Sequence, residues 1–226
     1  MLKTYEEKRN NIKEEIEFIG NSVIDALESS LKMLKNDDIS TLKEIDLSVK
    51  KLSNKSNEID NLIVTTLALY SPEAKDLRQM ISYLKITNEL IRAASNVKGF
   101  IKIFRKAFCE DLNTNTILEF TIPLHKSALL SLRSAMAMID QENDNNIEEK
   151  YHKVIVEESK ANDLYAMVEK NILKLISKNL ELSKEYFDIL SSLRRLERTA
   201  DRASSIASLA LFAHIGGDIM QSWFMI

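Results

Sequence analysis

Leu196-Glu197-Arg198-Thr199-Ala200-Asp201-Arg202-Ala203 sits inside a helix-forming run from about Ser183 to Ala213. Around it the apolar positions are Ile189, Leu193, Leu196, Ala200, Ala203, Ala207 and Ala210, in alternating steps of four and three. That spacing draws one continuous seam along a helix that packs against others. Glu197 and Asp201 each follow a seam position, four residues apart, so their carboxylates stack along one edge of the buried face. Either Arg194, Arg195, Arg198 and Arg202 neutralise them as ion pairs on a half-exposed face, or the two acids are hard-oxygen ligands for a divalent or trivalent cation.

Composition points the same way as the seam. The chain has 226 residues, 45% of them hydrophobic, enough for a substantial core. Only four Gly and two Pro interrupt it, so it reads as helical. A formal charge of −3, spread along the chain, gives no basic block for nucleic acid or an anionic membrane. Met1 to Arg9 is charged and no apolar run approaches a spanning helix, so neither a secretory signal nor a membrane span is expected. The single cysteine, Cys109, has no partner for an internal disulfide, and a reducing, cytoplasmic setting fits.

Taken in order, Ile12, Ile16, Ile19, Val23, Leu27, Leu31 and Leu34 mark a helix from Tyr5 to about Leu34, broken at Asn36 to Asp38. Leu42 to Tyr70 resumes the alternation as a second helix, with Ser56 as a polar residue on its seam. Ser71-Pro72-Glu73 predicts the start of a third, with Ser71 as cap, and its seam runs to Phe104 through Gly99. After the polar stretch Glu110 to Asn115, a fourth seam runs from Leu118 to Ile139 and includes His125. A turn at Gln141 to Asn146 and a capping box of Asn146 and Glu149 open a fifth, from Tyr151 to Leu175.

Six long helices in two sets of three amount to an internal duplication of pattern. The fold class expected is all-α, two tandem three-helix bundles divided as residues 1–112 and 113–226. Glu158 occupies a seam position of the fifth helix, with Asn162 four residues on and Asp163 beside it. An ionised carboxylate in a bundle core is costly unless paired or metal-bound. Glu158 and Asn162 are therefore expected to face Glu197 and Asp201 across neighbouring helices, with Arg194 or Arg198 pairing with Glu158 as the simpler alternative to a metal. The chain has one Glu-x-x-His, Glu149 to His152, where a ferritin-like di-iron site needs two. His125 reads as a hydrogen-bonded core histidine.

Leu196 to Ala203 resembles the Leu-Glu-Arg-Ile-Gly-Asp-His-Ala element of the PhoU family, and Ser71-Pro72-Glu73-Ala74-Lys75-Asp76-Leu77-Arg78 is similar to that family's Pro-x-x-x-Asp-Leu-Arg helix start. The resemblance extends over the whole chain and implies two three-helix repeats. It also implies metal clusters held by acid-x-x-x-Asp motifs, one pair of motifs per repeat. Matched by position, the second repeat supplies Glu158 with Asn162 and Glu197 with Asp201; only Asn162 departs from the pattern. In the first repeat the matching positions are Ser56 with Asp60 and Ile91 with Ser95, so three of four acids are missing. One weakly held hard cation in the second repeat (iron, zinc, manganese or magnesium) is therefore expected, with Glu158, Asn162, Glu197 and Asp201 as its ligands.

The function implied by the resemblance is a cytoplasmic regulator that restrains phosphate uptake and phosphate signalling. Its implied partners are the phosphate ABC transporter and the associated sensor histidine kinase, with a homodimer left open. The residues offer no nucleophile, no phosphate-cradling Gly-rich loop and no acid–base pair, so a regulator rather than an enzyme is expected. A carboxylate-bridged metal protein and a degenerate helical interaction module without metal are the two alternatives.

Overall fold

The computed structural model describes residues 2–139 and 146–216. Its long helices are α1 (Leu2–Lys35), α2 (Val49–Tyr70), α3 (Ala74–Ala107), α4 (Thr114–Met136), α5 (Ile147–Lys178) and α6 (Ser183–Ile215). Short 3-10 turns at Ile39–Glu44 and Leu180–Leu182 complete the described residues, which contain no strand. The architecture is the expected one, an all-α pair of three-helix units. At 34 residues each, α1 and α3 span about 51 Å at 1.5 Å per residue, longer than their seams alone suggest.

The seams of α1 and α6 are the core, whereas Glu158, expected at a core position of the fifth helix, is only half-buried, as is Leu118 at the start of the fourth seam. Ile12, Ile16, Ile19, Val23, Leu27, Leu31 and Leu34 are all buried on α1, and so are all seven seam residues of α6. Burial on α6 extends to a second stripe that includes Ser192, Thr199, Ile206 and Ala213. The reason is topological, because α6 packs on α3, α4 and α5 at once. The α3–α6 contact is the most extensive in the molecule. Small buried residues on both helices, Ala93 and Ala94 on α3 and Ala200, Ala203 and Ala207 on α6, let such backbones approach closely. Among the described residues, α2 packs only on α1 and α3, and among the long helices α5 packs only on α4 and α6. One contiguous hydrophobic core runs through both sets of helices.

Three local expectations are corrected. The second helix does not begin at Leu42. Residues 39–44 form a 3-10 turn that buries Ile39 and Leu42, and α2 starts at Val49, where the Ser48 side chain accepts from the Lys51 N–H at 3.4 Å. Ser71 does not cap α3; it ends α2 in a left-handed conformation, φ 46°, donating its N–H to the Leu67 carbonyl. α3 then opens at Ala74 after Pro72 has stopped the chain from continuing α2. Asn146 has φ −113° and ψ 18°, outside the extended geometry of a capping residue, and its side chain accepts no capping bond from the first turn of α5. The turn expected at Gln141 to Asn146 lies outside the described residues except for Asn146.

The other breaks fall where the polar clusters stand. Asp37, φ 55°, turns the chain after α1, and Asn113 caps α4 by accepting from the Thr116 N–H at 3.1 Å. Gly99, inside α3, has a specific reason. A Cβ there would come within 2.6 Å of an Arg195 guanidinium nitrogen, so its lack of a side chain makes room for Arg195 from α6.

Candidate functional site

Helix periodicity sets the position of each acid. Glu158 and Asn162, one turn apart on α5, join through a hydrogen bond in which Asn162 Nδ2 donates to Glu158 Oε1 at 2.6 Å. On α6, Glu197 is buried, while Asp201 is half-buried. The two helices bring the three carboxylates close enough to act on one another. Glu158 is raised above the usual carboxylate range first by burial and then by the Asp201 charge. Glu197 is raised by burial and by Asp201, against the pull of Arg194 and Arg198. Asp201 is raised by burial, with Arg202, Arg194 and Arg198 opposing. Desolvation leads in all three, the signature of carboxylates taken out of water with incomplete compensation.

The arginine that compensates is Arg194, and its partner is not Glu158. Arg194 Nη1 lies 3.0 Å from Glu197 Oε1 on its own helix, and its guanidinium sits 4.9 Å from the centre of the Tyr165 ring on α5. It thereby ties α5 to α6 by a charge on one side and an aromatic face on the other. Glu197 Oε2 is buried with no partner. Asp163 is exposed and outside the cluster, and His152 is exposed on α5.

The donors are three hard carboxylates and an amide, the right chemistry for a hard cation, but their arrangement does not fit a multinuclear cluster. Among the described residues no group of three or more His, Cys, Asp or Glu side chains is disposed to hold a metal ion. One oxygen of Glu197 is taken by Arg194 and one of Glu158 by Asn162. In the first repeat, Ser56 is buried, Ile91 packs on the core, Ser95 is exposed, and Asp60 accepts from Thr87 Oγ1 at 3.0 Å.

A stability test follows from the sign of the Glu158 shift. A carboxyl whose folded pKa is raised is disfavoured in its charged form, so it weakens the fold as pH rises above its ordinary range. Glu158→Gln removes that charge without breaking an arginine pair. It is expected to raise the melting temperature at pH 7 by about 2–3 °C, a gain of up to roughly 1 kcal/mol, and to change little at pH 4. Melts of both proteins at the two pH values check this, and a lower melting temperature for the variant at pH 7 counts against it.

Some polar pairings could not be read from the sequence because they join distant helices. Ser30 Oγ on α1 lies 2.8 Å from His125 Nε2 on α4, and Arg202 Nη1 on α6 donates to Glu89 Oε2 on α3 at 2.9 Å. For the second, the sequence shows only a polar stripe of Lys85, Asn88, Glu89 and Arg92 on a helix whose other face is apolar, which marks the face but not the partner.

Comparison with known proteins bears on the fold and the family. Two crystal structures superpose on nearly the whole chain. PhoU from Pseudomonas aeruginosa does so with a TM-score of 0.78 at 17% identity, covering 92% of this chain and 98% of that one. The phosphate transport system regulatory protein PhoU from Streptococcus pneumoniae does so with a TM-score of 0.76 at 18% identity, covering 94% and 98%. No curated protein matches the chain in sequence. The sequence model of the PhoU domain matches twice, at residues 16–102 and 123–210, one match to each set of three helices. With both repeats matched and the helical architecture shared, the chain belongs to the PhoU domain family.

Proposed function

We propose that the protein is a cytoplasmic regulator that restrains phosphate uptake and phosphate signalling through contacts with a phosphate ABC transporter and its sensor histidine kinase. The observation that carries this reading is the match of the PhoU domain to both repeats. The elongated helices support it by offering long exposed faces for partner proteins, with α2 and α5 outermost. None of the helices described is long and apolar enough to cross a membrane, which accords with a partner that docks on a transporter from outside the bilayer. The reading makes the protein a scaffold, not an enzyme.

Deletion of the coding sequence in the native host tests it. A phosphate-starvation reporter is expected to rise several-fold in phosphate-rich medium and to fall again on complementation, and the transporter's ATPase subunit is expected to co-purify with the protein. A reporter that stays repressed in the deletion strain would remove the reading.

A second reading attaches to one atom, the buried and unpartnered Glu197 Oε2. A single hard cation at that oxygen would have to draw in Asp201, Glu158 and the Asn162 carbonyl, which are not grouped for it among the described residues, and would offset the desolvation that all three acids share. Metal analysis of the purified protein and of Glu197→Gln, with melts before and after chelation, tests this. Chelation that leaves the wild-type melt unmoved would leave Arg194 as the neutraliser.

A further inference from the structure

A cleft of about 600 Å³ lies between α3 and α6, on the contact that joins the two repeats. Its walls are two facing stripes at helical spacing. Lys85, Asn88, Glu89 and Arg92 come from α3, and Arg202, Ser205 and Ser208 from α6. The volume falls in the range of small-molecule sites, which favour junctions between structural units.

Its charge is opposite to that of the chain. Three cations line it against one carboxylate, in a protein whose net charge is −3. Glu89 does not cancel the site so much as orient it. Its Oε2 accepts from Arg202 Nη1 at 2.9 Å, and its Oε1 lies 3.7 Å from Arg92 Nη1. Both oxygens are thus engaged, and each guanidinium, with five N–H donors, keeps others for a ligand. Lys85 adds a third positive charge, and Asn88, which gives one amide hydrogen to the Leu84 carbonyl, keeps a second. The serine hydroxyls are spent on the helix backbone, Ser205 on the Asp201 carbonyl and Ser208 on the Ser204 carbonyl, so recognition rests on the cations and the amide.

We propose that this cleft binds a small phosphorylated anion, held by Lys85, Arg92 and Arg202 and positioned by Glu89. Planar guanidinium forks, that of Arg202 fixed by the Glu89 carboxylate, match phosphoryl oxygens in pairs, and an excess of positive charge in a recess draws a ligand with two or more negative charges. Because the cleft is built from both repeats, an occupant would brace the α3–α6 contact. The site stands independently of the regulatory reading, and a negative binding result would leave that reading in place.

Calorimetric titration of the full chain with inorganic phosphate, pyrophosphate and ATP tests the proposal, at low and at physiological ionic strength. Saturable binding is expected, weakening with salt. Lys85→Ala combined with Arg92→Ala, two exposed positions where the fold has little at stake, should weaken it at least tenfold without shifting the melt by more than about 2 °C. Lys170→Ala combined with Lys174→Ala on exposed positions of α5 removes the same charge elsewhere and should leave binding unchanged. Pyrophosphate or ATP binding more tightly than phosphate identifies an oligophosphate ligand, and equal affinities identify a single phosphoryl group. Absence of binding by all three anions overturns the proposal, as does equal weakening by the two double variants.

Discussion

Phe100→Ala is expected to lower stability by about 3–5 kcal/mol, the range for emptying a large aromatic site in a packed core. For a chain of this size that corresponds to a fall of roughly 10 °C in melting temperature. Phe100 is fully buried on α3, its ring centre 5.2 Å from that of Phe104 and 5.4 Å from that of His125, which it meets edge-on. The loss has three parts: the transfer of the ring from water, the cavity left among neighbours on different helices, and the aromatic contacts. Collapse around the hole is restricted because α3 is held against α1, α2 and α6 together. Since one core serves both repeats, the whole unfolding transition should move down rather than split. Thermal and urea unfolding of the two proteins decide this, and a loss below about 1 kcal/mol would show that the site closes or that the ring contributes little.

Acidification is expected to weaken the fold through His125, and the direction can be worked out from its surroundings. The ring is fully buried. Ser30 has one hydroxyl hydrogen, which reaches the Leu27 carbonyl at 3.1 Å, so the 2.8 Å contact is satisfied when His125 Nε2–H donates to Ser30 Oγ. Nδ1 is then a buried acceptor without a partner. Protonating it would place a charge and an unsatisfied donor in the core, and burial accordingly pushes the pKa down from 6.5 to about 4. The unfolded chain therefore binds a proton more readily than the folded one, so stability present above pH 6.5 is lost as pH falls toward 4, by about 3 kcal/mol over the full window. The raised acids Glu158, Glu197 and Asp201 act in the opposite sense, favouring the fold as they protonate. Urea midpoints of wild type and His125→Gln between pH 7.5 and 4.5 separate the two effects. The variant should start less stable and lose less on acidification, and parallel profiles would show that His125 is not the source.

The fold was legible because burial on long helices leaves a regular trace. Steps of three and four from Ile189 to Ala210, or from Ile12 to Leu34, name the buried face before any partner is known, and every one of those residues is buried. The ends were less legible, for a local reason. Ser71 has the composition of a cap, but whether it closes one helix or opens the next is decided by a left-handed φ that its side chain does not announce. The acid cluster was legible as a neighbourhood, since a seam position of α5 holds Glu158 and the edge of the α6 seam holds Glu197, while the choice of Arg194's partner was not. Side-chain rotamers make that choice: the guanidinium pairs with Glu197 on its own helix and reaches α5 over the Tyr165 ring. Gly99 and the cleft between α3 and α6 depend on which faces of two helices meet a hundred residues apart, information that no single helix contains.

The shared core gives the link between α3 and α4 an unexpected weight. Phe108 to Asn113 is a short tether between two sets of helices that bury their largest common surface against each other, much as the subunits of an obligate dimer do. In two separate chains that association would be bimolecular and would fail at low abundance. Joined by six residues, the second half meets the first at a fixed effective concentration set by the linker, far above anything a cell supplies in free protein. Each copy of the chain therefore carries both halves of the α3–α6 contact, and their pairing does not depend on how much protein is present.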